Sequence, residues 1–497
     1  RPNPGAAMTP EHEVVIVGAG FAGLAAAMEL EAAGVTDVVI LERAREVGGT
    51  WRENTYPGVA CDVPAHLYAL ARHPWPHWTR EFAPGAEIQA YLRRVAATTG
   101  IDSRIRFDTA LLDARWNDGA WNLQTTGGSL RARMHVLACG RLTEPSLPEV
   151  HGLAAFPGPV VHSARWDSQL DLDGKRIAVV GTGASGVQLV PELVRRGAEV
   201  TLFQRSAPWI LPRGGRTYTD AERERFATHP EVLAALREDL FREGEARHAS
   251  RAGDAAAAAA ASDQAQAHLH AQVSDPTLRA WLTPDYAFGC KRVLLSDDFY
   301  PAVASDAVTL EPSALARADG GTLVAASGRR HAVDAVVLAT GFSATRQPYA
   351  ELVTGEDGIS LDEHWASGMS SALSTVVSGF PNLFILNGPN ASLGHNSSIL
   401  MLEEQAAYAA RTIAAAPATA TLRPDPAVEQ EYTRMIVRRS RDTAWVSGGC
   451  RNWYVDERSG RLTLLWPGTV TQFRDQLRRA DGSEFLTEPA TERSTTP

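Results

Sequence analysis

Glu13-Val-Val-Ile-Val17-Gly18-Ala-Gly20-Phe-Ala-Gly23 decides the fold class of this chain. The apolar run fits a buried parallel strand, and it enters a GxGxxG loop with no intervening polar residue. Leu24 to Ala33, rich in Ala, Leu, Met and Glu, follows as a helix, with Gly34 where a helix ends. Each loop glycine has a mechanical task. Gly18 makes the tight turn, Gly20 lets the backbone approach a pyrophosphate, and Gly23 packs helix on strand. The next strand, Asp37 to Leu41, ends in Glu42, whose carboxylate can accept hydrogen bonds from ribose hydroxyls. Together these read as a dinucleotide-binding unit. Gly48-Gly49-Thr50-Trp51 follows within a few residues, and a second glycine pair there suits FAD held extended rather than an exchanging nicotinamide. The segment then runs through Tyr56, Pro57 and Gly58 to Asp62, a carboxylate that by itself reads equally well as a cap of a turn or helix.

A second unit repeats the pattern. Lys175 to Val180 is a strand leading into Gly181-Thr-Gly183-Ala-Ser-Gly186, and the helix beyond contains Pro191, expected to kink it. Lining up Val38-Val-Ile-Leu-Glu42-Arg43 with Val200-Thr-Leu-Phe-Gln204-Arg205 shows the acid replaced by a neutral glutamine beside an arginine. A carboxylate would repel a ribose 2′-phosphate, whereas Arg205 can bind one bidentately, which favours NADPH over NADH. Between the units lies Phe156-Pro-Gly158-Pro-Val-Val-His162-Ser-Ala-Arg-Trp166-Asp167, placed to act as a hinge, with His162 and Trp166 packing where two domains meet.

The expected fold class is α/β, with two Rossmann-like dinucleotide-binding domains and a helical insertion. Residues 9–150 and 343–480 form the expected FAD domain, 151–214 and 288–342 the NADPH domain, and 215–287 the insertion, where helix-favouring stretches include the alanine tract 255–261. Residues 1–8, ending in a Met8 that fits a natural start, and 481–497 read as flexible tails. Asp334 to Leu338 is a further strand, and helices are expected over 397–415 and 426–440. His395, in the loop 388–396, reads as a structural histidine, and the adjacent cations Lys291 and Arg292, which follow a Gly turn, read first as solvated and second as functional.

A formal charge of −10 argues against a nucleic-acid partner. No apolar run approaches the roughly eighteen residues of a membrane helix, and no secretory pattern opens the chain, so a cytoplasmic location is expected. Cys61, Cys139, Cys290 and Cys450 are widely separated and include no CxxC pair. Neither a disulfide framework, a metal site nor a dithiol centre is expected, and the default is reduced thiols.

With both loops and the joining segment quoted, the chain resembles a class B flavoprotein monooxygenase, and within that class a type I Baeyer–Villiger monooxygenase. Phe156, Gly158, His162, Trp166 and Asp167 fill every fixed position of that family's FxGxxxHxxxW(P/D) fingerprint, and Gly48, Gly49, Trp51, Tyr56, Pro57, Gly58 and Asp62 fill its (A/G)GxWxxxx(F/Y)P(G/M)xxxD motif. Ala138-Cys-Gly140 departs slightly from the small-Thr-Gly turn of many relatives. The resemblance implies FAD on the first unit and NADPH on the second. It implies Arg292 as the catalytic arginine with Asp62 as its partner, Lys291 and Arg205 on the 2′-phosphate, and Trp453 near the nicotinamide ribose. It places His162 at the domain linker, acting on conformational change. The reaction it implies uses NADPH and O2 to insert oxygen next to a ketone carbonyl of a small molecule, through a C4a-peroxyflavin, giving an ester or lactone. A sulfur- or nitrogen-oxidising flavin monooxygenase is the nearest rival, and an NADPH-dependent flavin reductase a more distant one.

Overall fold

Residues 10–486 are described in a computed structural model of the chain. The expected tails at 1–8 and from 487 onward lie outside them. The architecture is α/β and is built on two main sheets. The first has eight strands, in the order Val353–Thr354, Leu111–Asn117, Ala120–Thr125, Gly128–Leu137, His12–Val17, Val38–Leu41 and Ile105–Arg106, with Leu383–Ile385 also paired to Gly128–Leu137. The long strand Gly128–Leu137 reconciles two patterns. Its first part pairs antiparallel with Ala120–Thr125, and its second part parallel with His12–Val17 and Leu383–Ile385. Val14, Val15 and Ile16 are fully buried, as expected of a strand covered on both faces. Helix Phe21–Ala32 starts directly after the first glycine loop, and its alanines let it lie close against helix Ser398–Ala415.

The second sheet has five parallel strands, in the order Val308–Glu311, Glu199–Phe203, Arg176–Val180, Ala335–Leu338 and Val160–His162. Its glycine loop feeds helix Ala184–Arg195, which runs through Pro191 as one helix. Pro191, where a kink is expected, is buried and does not end the helix.

Four helices, Asp220–Thr228, Pro230–Ala246, Ala255–Gln272 and Pro276–Leu282, occupy the stretch read as an insertion. Its anchor is Glu245, which accepts from the backbone N–H groups of Val470 at 3.0 Å and Thr471 at 3.1 Å, at the start of helix Val470–Arg478. Burial pushes the Glu245 carboxyl up, but the nearby His395 and the hydrogen bonds from Thr471 and Val470 prevail and hold it at about 2. His395 is buried, 3.6 Å from Glu245 and edge-on to His248. It therefore serves the docking of the insertion.

Two expectations are corrected. The chain does not fray at 481: Glu484 is buried and accepts from the Tyr408 hydroxyl at 2.5 Å, and Leu486 N–H donates to the Arg423 carbonyl at 2.8 Å. The cysteines are not all reduced, because Cys290 and Cys450 form a disulfide across 160 residues of sequence, leaving Cys61 and Cys139 as thiols. Spacing could not reveal this pair, since its halves meet only when the turn before Arg292 packs on the loop before Trp453. Among the described residues no helix is long and apolar enough to cross a membrane, and no cluster of His, Cys, Asp or Glu could hold a metal ion.

Candidate active site

Both glycine loops open into one cavity of about 1290 Å³. Gly18, Gly20, Glu42, Gly49, Thr50, Trp51 and Asp62 line it from the first unit, and Gly181, Gly183, Arg205, Lys291 and Arg292 from the second, with Trp453 added by the C-terminal loop. Gly23 and Gly186 lie beneath their loops instead. A Cβ at Gly23 would sit 1.9 Å from the Gly18 carbonyl oxygen, and one at Gly186 would sit 2.2 Å from that of Gly181. The two loops thus share one construction.

In the first loop, Gly20 and Gly49 face each other so closely that a Cβ on Gly49 would be 3.2 Å from the Gly20 Cα. The slot between them is walled by backbone, the approach that a pyrophosphate needs. Glu42 is buried and accepts from the N–H groups of Ala19 at 2.8 Å and Ala44 at 2.9 Å. Its carboxylate is fixed with lone pairs to spare for a ribose. At the matching place in the second unit Gln204 turns away and donates to the Trp281 carbonyl at 2.7 Å, so the strand end carries no negative charge. Arg205 is exposed there, and Lys291 stands nearby, donating to Ser206 Oγ at 2.5 Å with its ammonium 4.6 Å from the centre of the Tyr286 ring. Burial, then the charge of Arg205, lowers the Lys291 pKa. Two adjacent cations are the electrostatic opposite of the Glu42 corner.

Arg292 and Asp62 meet across 230 residues of sequence. The Arg292 Nε donates to one carboxylate oxygen at 2.8 Å and Nη2 to the other at 2.7 Å, a bidentate pair. The Asp62 charge raises the guanidinium pKa further and outweighs burial, so Arg292 stays a cation at every pH an enzyme meets. Pairing uses one edge of the guanidinium and leaves its remaining N–H groups for the cavity.

A family model described as pyridine nucleotide-disulphide oxidoreductase matches residues 15–214. A Baeyer–Villiger monooxygenase of Streptomyces coelicolor is 42% identical over 487 residues, covering 96% of this chain and 92% of its own. Another from Pseudomonas aeruginosa is 38% identical, covering 98% and 93%. The chain belongs to the Baeyer–Villiger monooxygenases. Among solved structures, a steroid monooxygenase bound to NADP matches this monooxygenase with a TM-score of 0.81 at 29% identity, over 95% of this chain and 97% of that one. The OTEMO complex with FAD and NADP matches with a TM-score of 0.84 at 25% identity, over 96% and 100%.

The fingerprint of this Baeyer–Villiger monooxygenase stays outside the cavity wall. Val160–His162 is the edge strand of the second sheet, with His162 in register with Leu338. Gly158 is required by close approach, since a Cβ there would lie 2.1 Å from the Asp334 carbonyl oxygen, and Phe156 is buried beside it. His162 Nδ1 accepts from the Ala164 N–H at 3.1 Å, its ring meets Phe342 edge-on, and burial lowers its pKa. Accepting that bond uses the lone pair of Nδ1. Trp166 packs against the core of the second sheet, and Asp167 closes a turn by accepting from Gln169 N–H at 2.8 Å.

Two contacts at the site leave no trace in the sequence. The Tyr56 hydroxyl donates to Gln188 Oε1 at 2.8 Å, and Gln188 Nε2 donates to the Ala60 carbonyl at 3.0 Å. The segment leading to Asp62 is thereby clasped to helix Ala184–Arg195 of the second unit. The disulfide is the other, joining the turn of Lys291 and Arg292 to the loop of Trp453, whose ring lies 4.5 Å from that of Tyr454. No local signal marks Gln188 or Cys450.

Proposed function

We propose that this monooxygenase binds FAD through residues 9–150 and 343–480 and NADPH through 151–214 and 288–342, and uses O2 to insert one oxygen atom next to the carbonyl of a small-molecule ketone. The observation that carries the reading is the bidentate Arg292–Asp62 pair standing in the one cavity onto which both glycine loops open. The residues fit both groups: a backbone-walled slot and a fixed acid at the first loop, and an acid-free strand end with Arg205 and Lys291 at the second. Bound FAD supplies the oxygen activation, and NADPH the hydride that primes it.

The chain's own residues do the rest. Arg292 presents a permanent positive charge to oxygen atoms that gain negative charge as the carbonyl is attacked, and it does so without surrendering a proton. Asp62 aims the guanidinium and limits the cost of burying it. Trp453 and the disulfide-tied loop cover the same space and limit the entry of water. The clasp of Tyr56 on Gln188 links the two units, and His162, on the edge strand of the second sheet, acts on domain motion and not on bonds.

NADPH oxidation under 18O2 with cyclic, aryl and polycyclic ketones, followed by mass analysis, tests the reaction. One labelled oxygen in an ester or lactone is expected, and NADPH consumption with unlabelled product would refute it. For the nucleotide, Arg205→Ala is expected to raise KM for NADPH by roughly tenfold to a hundredfold, the worth of a charge-assisted contact, with little change for NADH. Equal effects on both nucleotides would exclude 2′-phosphate recognition.

A further inference from the structure

Arg141 follows the Gly140 turn beyond strand Gly128–Leu137 and is only 8% exposed, yet it lines the cavity. Its guanidinium donates to Asn387 Oδ1 at 2.9 Å and to Ser392 Oγ, both neutral acceptors, and its Nε has no partner. Of the other deeply buried arginines none lines the cavity, although Arg131 also leaves its Nε without a partner. Arg133 is paired with Glu13, and Arg131 donates to the Asp118 carbonyl. Arg251 donates to the Arg247 carbonyl just past a helix end, covers the Phe288 ring, and does not line the cavity.

The charged and phenolic groups acting most strongly on Arg141 are Tyr454, Arg292, Tyr68 and Tyr349, with no carboxylate among them. Burial pushes its pKa down to about 10, which leaves it charged at neutral pH. Arg292 is already paired with Asp62, so of these two arginines lining the cavity Arg141 is the one without a carboxylate beside it. A buried cation held by neutral acceptors is costly, and an anion that completes it gains accordingly. The N–H groups of Nη1 and Nη2 not used by Asn387 and Ser392 suit the planar, two-oxygen geometry of a carboxylate.

We infer that Arg141 is a specificity-determining residue that receives a carboxylate of the substrate, which makes the preferred substrate class a keto acid. The carbonyl meets Arg292 while the carboxylate meets Arg141. This rests on the ketone-oxygenating reading above and narrows it.

The test is binding to the oxidised, FAD-loaded enzyme, read from perturbation of the flavin spectrum without NADPH. Probes are 4-oxocyclohexane-1-carboxylate and 4-acetylbenzoate, each beside its methyl ester. At least one acid is expected to bind about tenfold to a hundredfold more tightly than its ester. Arg141→Gln should erase that preference by weakening the acid alone, and Arg141→Lys should restore part of it. Equal binding of acid and ester in the unsubstituted enzyme overturns the inference without any variant. So does a preference that survives Arg141→Gln, or a variant that loses flavin or weakens acid and ester together, since Arg141 would then serve the cofactor. An acid preference without labelled oxygen in the product would leave this site standing and refute the oxygenation instead.

Discussion

Arg292→Ala is expected to lower ester or lactone formation by roughly a hundredfold to a thousandfold, the usual consequence of removing a preorganised donor from a developing oxyanion. NADPH oxidation should remain measurable, because the residues proposed to face the nucleotide, Arg205 and Lys291, are untouched. The split between the two rates is the diagnostic. Arg292→Lys should recover little, since a lysine ammonium cannot keep both the 2.8 and 2.7 Å contacts to Asp62 and still present parallel N–H groups to the cavity. Asp62→Ala should also damage product formation, by freeing the guanidinium to turn and leaving its charge unpaired. Activity should not fall with pH through loss of the Arg292 proton: Asp62 raises that pKa above its ordinary value, so the charged form persists through the alkaline range in which enzymes work. Normal ester formation by Arg292→Ala would remove this residue from the chemistry.

The parts of the molecule legible in the sequence are those where local geometry dictates composition. A strand covered on both faces must be apolar, a loop under a carbonyl oxygen must be glycine, and a strand end proposed to meet a ribose must choose its charge. Val14 to Val17, Gly18, Gly23 and Glu42 follow from such constraints, as do Gly181, Gly186 and the Gln204-Arg205 pair. Gly158 belongs with them, although the oxygen that demands it comes from Asp334, far along the chain. What stayed hidden depends on contacts between distant segments with no periodic or compositional trace. Cys290 finds Cys450 only after the turn before Arg292 and the C-terminal loop have packed. Gln188 becomes a clasp only when Tyr56 reaches it, and Arg141 becomes notable only because no carboxylate arrives beside it. The polar composition after 480 pointed to a loose tail, but a single buried carboxylate, Glu484, with the Tyr408 hydroxyl, ties residues 481–486 down.

Gly23→Ala and Gly186→Ala form a matched pair that separates the two nucleotide sites. An added methyl at Gly23 would lie 1.9 Å from the Gly18 carbonyl oxygen, and one at Gly186 would lie 2.2 Å from that of Gly181. Both obstacles are backbone, so no side chain can swing away and the helix must lift off its strand. Lifting helix Phe21–Ala32 also disturbs its packing on Ser398–Ala415, and overpacking of this kind typically costs about 1–3 kcal/mol or more. Gly23→Ala should therefore purify with little or no flavin and melt earlier, as read by flavin absorbance per protein and by thermal unfolding. Gly186→Ala strains the second loop alone. It should retain flavin at the normal ratio while KM for NADPH rises by at least about tenfold, because the amides that meet the phosphates move with the helix. If Gly23→Ala kept its flavin, or if Gly186→Ala lost flavin and spared NADPH, the assignment of the first loop to FAD and the second to NADPH would have to be reversed or abandoned. The same constriction in both loops means that only the identity of the lost cofactor, and not the severity of the clash, can distinguish them.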